Sequence, residues 1–285
     1  MRIIKRKKGK QEYFYVQHSL RKENKVITKE RYLGIEIPTN IEEIKREFLK
    51  ETRSDIYKKL ETIKKNFQKE WLSTPENAKQ KQLEEISIAF TYNTNAIEGS
   101  TITLEEAREI IHDKISPNKP LRDVKETEAH SKIFLQMLKE KEKITNEMIL
   151  KWHKDIFEQT KPDLAGRYRE YLVRVGSYLA PDWQEVEKLM NEFIKFINEN
   201  VHKINPVELS AKAHYKFEKV HPFGDGNGRI GRLLMNHILW HGGYPMLIIE
   251  YKKSRSYYKA LTKDEEGFIS YFIKRYVAVH KNRLK

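Results

Sequence analysis

The chain has 285 residues, 39% hydrophobic and 34% charged, a balance that suits a folded domain with a heavily charged surface and argues against disorder of the whole. Its 55 Lys+Arg against 41 Asp+Glu leave a net charge of +14, which favours anionic partners in general: nucleotides, nucleic acid or acidic proteins. The absence of cysteine excludes thiolate catalysis, disulfides and Cys-ligated zinc, and no apolar run approaches the roughly 18 residues that a membrane span needs.

The first residues, Met1-Arg-Ile-Ile-Lys-Arg-Lys-Lys, are basic with no apolar stretch behind them, so no secretory signal is expected and a cytoplasmic location is the default. Lys5, Arg6, Lys7, Lys8 and Lys10 form the densest basic cluster, beside Tyr13, Phe14 and Tyr15. Such a pairing can serve a nucleic-acid face, although basic clusters are more often solvated ends. Two runs rich in aromatic and β-branched residues, 12–18 and 25–33, flank the polar Lys22-Glu23-Asn24-Lys25 and predict a β-hairpin over 1–37, closed by Gly34 and Pro38.

From about Thr39 the period is helical. Ile56, Leu60, Ile63, Phe67 and Trp71 form one apolar stripe on a long helix. Thr74-Pro75-Glu76 reads as the next helix start, with the Thr74 hydroxyl as its cap. Further helices are expected at about 121–140, 145–158, 184–200, 206–219, 229–241 and 265–281, punctuated by prolines. The alternating segment 170–180 predicts a short hairpin between helices, and Met246-Leu-Ile-Ile-Glu250 resembles a strand.

Between helices 206–219 and 229–241 lies His221-Pro-Phe-Gly-Asp-Gly-Asn-Gly-Arg-Ile-Gly-Arg232. Three glycines in five positions, Gly224, Gly226 and Gly228, let the backbone close on a ligand and turn its amides inward, and the following helix adds free amides and a positive end, a seat for phosphate. Arg229 and Arg232, three apart, share one side of that helix and can fork onto phosphate oxygens. Asp225 suits a hard cation such as Mg²⁺, and His221, titratable near neutral pH, suits a base. Together these describe phosphoryl or nucleotidyl transfer better than simple binding. Gly226-x-Gly228-x-x-Gly231 also matches the dinucleotide fingerprint, but Leu209, Ala213, Phe217 and Val220 recur at helical spacing where that fingerprint needs a strand. His237 and His241 are one turn apart as in zinc sites, yet no third ligand accompanies them, so they are read as structural.

His221-x-Phe-x-Asp-Gly-Asn-Gly-Arg-x-x-Arg232 resembles the signature of the Fic family (filamentation induced by cAMP) at every fixed position. Gly166-Arg-Tyr-Arg169, Val175-Gly176, Pro181, and Tyr257-Tyr258 after Arg255 extend the resemblance over about 86–279, leaving the N-terminal hairpin outside. It implies an all-α helical bundle with a short β-hairpin flap, to which this chain adds the N-terminal β-hairpin. The chain then divides into a hairpin extension (1–37), a helical region (38–85) and a catalytic domain (86–285). It also implies a protein adenylyltransferase, which moves AMP from ATP to a Ser, Thr or Tyr hydroxyl of a target protein with Mg²⁺. By that resemblance His221 is the catalytic base and Asp225 the Mg²⁺ ligand. Gly226, Asn227, Gly228 and Arg229 cradle the α- and β-phosphates, with Ile230 and Gly231 in the same stretch, and Arg232 takes the γ-phosphate. Val175, Gly176, Ser177 and Tyr178 form the flap over the nucleotide, and Tyr257 and Tyr258 the adenine side of the pocket. Glu265 stands where related members can have Asn against the nucleotide, a departure that leaves this contact open.

Thr94-Asn-Ala-Ile-Glu98-Gly99 is similar to the family's inhibitory motif, Ser/Thr-x-x-x-Glu-Gly/Asn, carried N-terminal to the catalytic loop. A carboxylate paired bidentately with Arg232 would occupy the group meant for the γ-phosphate and misdirect the α-phosphate of ATP. Alone, the pattern reads equally as a helix end capped by Gly99. Two other functions stay open: a loop that removes AMP with water activated by Glu98 or moves another phosphate-containing group, and a DNA-binding regulator whose loop is vestigial. The intact His221, Asp225 and Arg232 argue against the second. The partners expected are a target protein, the chain itself included, and a second copy in a homodimer; nucleic acid ranks below these, and no membrane partner is expected.

Overall fold

The computed structural model describes residues 1–22, 25–141 and 143–285, leaving aside the side chains of residues 20–22, 25 and 26. Glu23 and Asn24, at the expected hairpin turn, lie outside the described residues. The chain divides into two compact units, Met1–Thr62 and Ile63–Lys285.

In the first unit the expected N-terminal hairpin is present and is extended to three antiparallel strands, β1 (Arg2–Lys8), β2 (Gln11–Lys22) and β3 (Lys25–Gly34), in the order β1-β2-β3. Gly9, at φ 64, turns β1 into β2, so that Ile3 and Ile4 pair with Val16 and Tyr15. The basic run therefore builds a strand, and acids on the neighbouring strands answer it. Lys5 Nζ lies 2.8 Å from Glu12, and Arg6 2.8 Å from Glu30. Gln17 accepts from Arg2 and donates to Glu30, each at 2.7 Å. Helix α1 (Ile41–Thr52) follows and presents Glu47 and Glu51 to Arg31.

Helix α2 (Ser54–Ser73) carries the apolar stripe, with Leu60, Ile63 and Phe67 buried, and sets Phe67 and Trp71 in edge-to-face contact with Trp240. The Thr74 hydroxyl does not cap the next helix: it donates back to the Glu70 carbonyl at 2.8 Å, and Pro75 takes the cap position of α3 (Glu76–Ile97) without a side-chain bond. At the end of α2 the hydroxyls of both Ser73 and Thr74 turn back to that carbonyl. Then come α4 (Leu104–Arg108), which runs on through a π-helical turn, α5 (Leu121–Met137) and α6 (Asn146–Phe157). The flap strands β4 (Arg174–Val175) and β5 (Tyr178–Leu179) are followed by α7 (Val186–Asn200), α8 (Pro206–Val220) and α9 (Asn227–His241). Helices α10 (Ser254–Leu261) and α11 (Glu265–Val279) close the chain.

The core joins Phe90, Phe134, Trp152, Phe193, Phe217 and Leu234, contributed by α3, α5, α6, α7, α8 and α9. Consecutive helices α8 and α9 pack together at the centre, which fixes the loop between them, while α11 covers α8 and α3 covers α5. Met246 to Glu250 is irregular instead of a strand, because the Asn236 side chain takes up both the Leu247 amide (2.8 Å) and its carbonyl (3.1 Å). Among the described residues no helix is long and apolar enough to cross a membrane.

Candidate active site

Helix α8 ends on His221, whose φ of 50 is left-handed, a conformation costing a non-glycine residue roughly 1–2 kcal/mol. Its amide still bonds the Phe217 carbonyl at 2.9 Å. The loop's curve is held by the Asn227 side chain, which accepts from the Phe223 amide (2.9 Å) and donates to the Phe223 carbonyl (2.8 Å). Gly226 opens α9 at φ 81, and a Cβ there would meet the Phe157 ring at 2.4 Å, so only glycine fits. From α6, His153 braces the loop. It accepts from the Gly166 amide at Nδ1 (2.9 Å), so its proton sits on Nε2 and is donated to the Asp225 carbonyl (3.0 Å). Its ring stacks on Phe223 at 3.8 Å, and burial pushes its pKa down to about 4. Arg169 ties loop to flap by donating to the carbonyls of His221 (2.9 Å), Tyr171 (2.8 Å) and Pro181 (2.6 Å).

Burial pushes the His221 imidazole below its ordinary pKa, against the Glu218 carbonyl and with help from Arg169. The neutral imidazole is therefore the favoured form at neutral pH. Behind it Glu218 is largely enclosed, with Oε2 4.0 Å from His221 Nδ1, and burial raises this carboxyl to about 7 while Arg232 opposes the rise. Gly231 faces α8: a Cβ there would lie 3.0 Å from His214 and 3.1 Å from Glu218. Ile230 points into the core.

Arg232 is 1% exposed and meets Glu98, with Nη2 2.6 Å from Oε1. Its Nε donates to the Thr94 hydroxyl and its Nη2 to the Thr94 carbonyl, each at 3.2 Å. The pair uses one carboxylate oxygen rather than the expected fork. Glu98 is also the C-cap of α3, followed by Gly99 at φ 90, so helix end and ion pair coexist. A Cβ on Gly228 would fall 2.2 Å from Glu98 Oε1, which puts this carboxylate on the first turn of α9. Burial works to lower the Arg232 pKa, but Glu98, with Tyr257 and Glu218, outweighs it and holds the charge in place. Tyr257 is buried beneath, its hydroxyl 2.7 Å from His214 Nε2, whereas Tyr258 is half-exposed and donates to the Ile97 carbonyl at 3.3 Å.

Arg229 has partners other than those of Arg232. It is buried, pairs with Glu126, stands 3.5 Å from Asp225, and lies over the Phe157 ring at 4.3 Å. Asp225 meets Lys161 at 2.8 Å. Glu126, Lys161 and the bracing role of His153 left no local signal, because they come from separate segments whose residues look ordinary in sequence. In the flap, Val175 pairs with Tyr178 around Gly176 (φ 59) and Ser177, and Val175 and Ser177 are exposed. The Tyr178 hydroxyl donates to the Lys219 carbonyl at 2.8 Å. A cleft of about 390 Å³ beside the flap is bordered by Tyr178, Pro181, Tyr215, Lys219 and Glu265, the last 3.4 Å from Lys216.

The Fic/DOC family profile matches residues 143–239. The chain is 35% identical over 205 residues to the protein adenylyltransferase Fic of Nematostella vectensis, covering 70% of this chain and 48% of that protein. It is 33% identical over 210 residues to the protein adenylyltransferase fic-1 of Caenorhabditis elegans, covering 71% and 41%. The chain thus spans about half the length of the curated relatives it matches. In structure it resembles a Fic domain containing signaling protein from Bacteroides thetaiotaomicron (TM-score 0.69, 26% identity, 79% of this chain and 97% of the other). It also resembles a fragment of Fic-1 from C. elegans (TM-score 0.70, 26% identity, 86% and 76%). Fold, loop and relatives agree: the chain carries a domain of the Fic/DOC family.

Proposed function

We propose that this chain is a protein adenylyltransferase, moving AMP from ATP to a Ser, Thr or Tyr hydroxyl of a protein, and that Glu98 restrains it. The carrying observation is a carboxylate of the chain itself resting on Arg232 and Gly228, at the helix N-terminus where a phosphate would bind, beside a neutral histidine. The names of the curated relatives support the activity.

In the reaction the target hydroxyl oxygen forms a bond to the α-phosphorus of ATP, the bond to the bridging oxygen breaks, and pyrophosphate leaves. His221 takes the hydroxyl proton. The α9 amides hold phosphate oxygens, and Arg232, once free of Glu98, clamps the γ-phosphate and aligns the α-phosphate. The exposed edge of the flap is open to pair with the target segment. Mg²⁺ suits Asp225, a half-exposed hard carboxylate at the loop, since this ion is ordinarily held by one or two carboxylates plus substrate phosphates. When bound it offsets charge on the departing pyrophosphate.

Incubating Glu98→Gly with α-³²P-ATP and, separately, γ-³²P-ATP tests the reading, with the chain itself and a cell extract as targets. Label from the α-position alone is expected; label from the γ-position would mean phosphate transfer.

A further inference from the structure

Asp225, the carboxylate that would meet a divalent cation, already faces a cation of its own chain. Lys161 Nζ lies 2.8 Å from Asp225 Oδ2 and 2.9 Å from Glu126 Oε1. The other Asp225 oxygen accepts from the Gly226 amide at 2.5 Å and has Arg229 at 3.5 Å. Both Asp225 oxygens are therefore engaged by groups of the chain itself. The lysine is anchored at its base as well: its amide bonds the Phe157 carbonyl (2.7 Å) and its carbonyl accepts from Ala165 (3.0 Å). Its ammonium also lies 4.9 Å from the Phe157 ring centre.

Mg²⁺ contacts its oxygens at about 2.0–2.1 Å and repels an ammonium on the same carboxylate. Resting on the reading of Asp225 as a metal ligand, we infer that Lys161 is a tethered internal cation that a divalent metal displaces from Asp225, so that this side chain sets how much metal the loop needs. Glu126 makes the exchange cheap. It stays paired with Arg229 and still accepts from the Thr160 hydroxyl at 2.9 Å, so a lysine leaving Asp225 keeps a counter-charge and no buried carboxylate is stranded.

The test is Mn²⁺ binding to the nucleotide-free chain, followed by water-proton relaxation, for the parent, Lys161→Met, Lys161→Arg and Asp225→Asn. Lys161→Met is expected to tighten Mn²⁺ by about two- to fivefold, the net worth of a partly exposed ion pair, and Lys161→Arg to keep the parental affinity. Lys161→Gln replaces the methionine variant if that fails to fold. Unchanged or weaker binding in Lys161→Met, with binding still lost in Asp225→Asn, overturns the displacement and leaves Asp225 as the ligand. Parental affinity in Asp225→Asn removes the metal role of Asp225 itself, and the inference with it.

Discussion

In the reaction proposed above His221 takes a proton from a weakly acidic hydroxyl, and its setting suits that role. The left-handed turn at the end of α8 aims the ring, and burial holds it unprotonated. Replacing it with Ala is expected to slow AMP transfer by about 10²–10⁴-fold with nucleotide affinity nearly unchanged, since the imidazole acts on the hydroxyl and not on ATP. Because its pKa lies below the ordinary 6.5, the neutral form persists as the pH falls, and the acidic limb of the Glu98→Gly rate profile should lie below pH 6.5. A limb above 6.5 would contradict this placement. Gly226→Ala is expected to cost ~2–4 kcal/mol in denaturant unfolding, from the positive φ and the clash with Phe157. At this scale the loop was legible because base, glycines and arginines share twelve consecutive positions, so local chemistry displayed them. Where each side chain is engaged was not legible. Arg229 goes to Glu126 and Asn227 staples the loop, and both outcomes depend on residues whose proximity only the fold creates.

Among the elements, α3 shows most clearly what periodicity hides. Its buried face includes Ser87, Thr91, Thr94 and Asn95, because it meets α5 through hydroxyls and His130: Ser87 bonds Ser131 at 2.8 Å and Thr91 bonds His130 at 3.0 Å. A polar seam of this kind carries no apolar stripe, so sequence marked only its start and its inhibitory-motif end. The short α10 was missed for the same reason, its buried residues being Tyr257 and Ala260. The first β-strand was hidden by its charges, which pair within the sheet. The flap, in contrast, followed from alternation, yet its attachment did not. Arg169 ties it to the loop through the carbonyls of Tyr171 and Pro181 on one side and His221 on the other, so Arg169→Met should speed amide exchange at Tyr178 and Ala180 and lower the transfer rate. Parental exchange in the flap of that variant would show that Arg169 is dispensable there.

Across the whole molecule, buried histidines set the response to acid. Burial holds His130 and His214 at about 3 and His153, His237 and His280 at about 4, all below the unfolded value near 6.5. As pH drops below 6.5 the unfolded chain takes up protons that the folded chain refuses, so this stability is full above about 6.5 and is lost toward pH 4. Glu218 runs the other way. Raised to about 7, it stays protonated in the fold, and its contribution grows as pH falls from 7 toward 4.5. Five groups outweigh one, and the melting temperature should fall between pH 7 and 5. A melting temperature that is flat or rising over that interval would contradict the burial of these rings.

The claim that joins these scales is that Glu98 occupies the place of a phosphate on Arg232 and Gly228. Initial rates of AMP incorporation at saturating MgATP, for the parent, Glu98→Gly, Arg232→Ala and the double variant at equal folded concentration, test it most directly. Glu98→Gly should be much faster than the parent and Arg232→Ala slower. The double variant should fall back toward the inactive level, because the gain from Glu98→Gly passes through Arg232 and the two effects do not add. A Glu98→Gly chain no faster than its parent would mean that the carboxylate on α9 is a helix cap and not a brake.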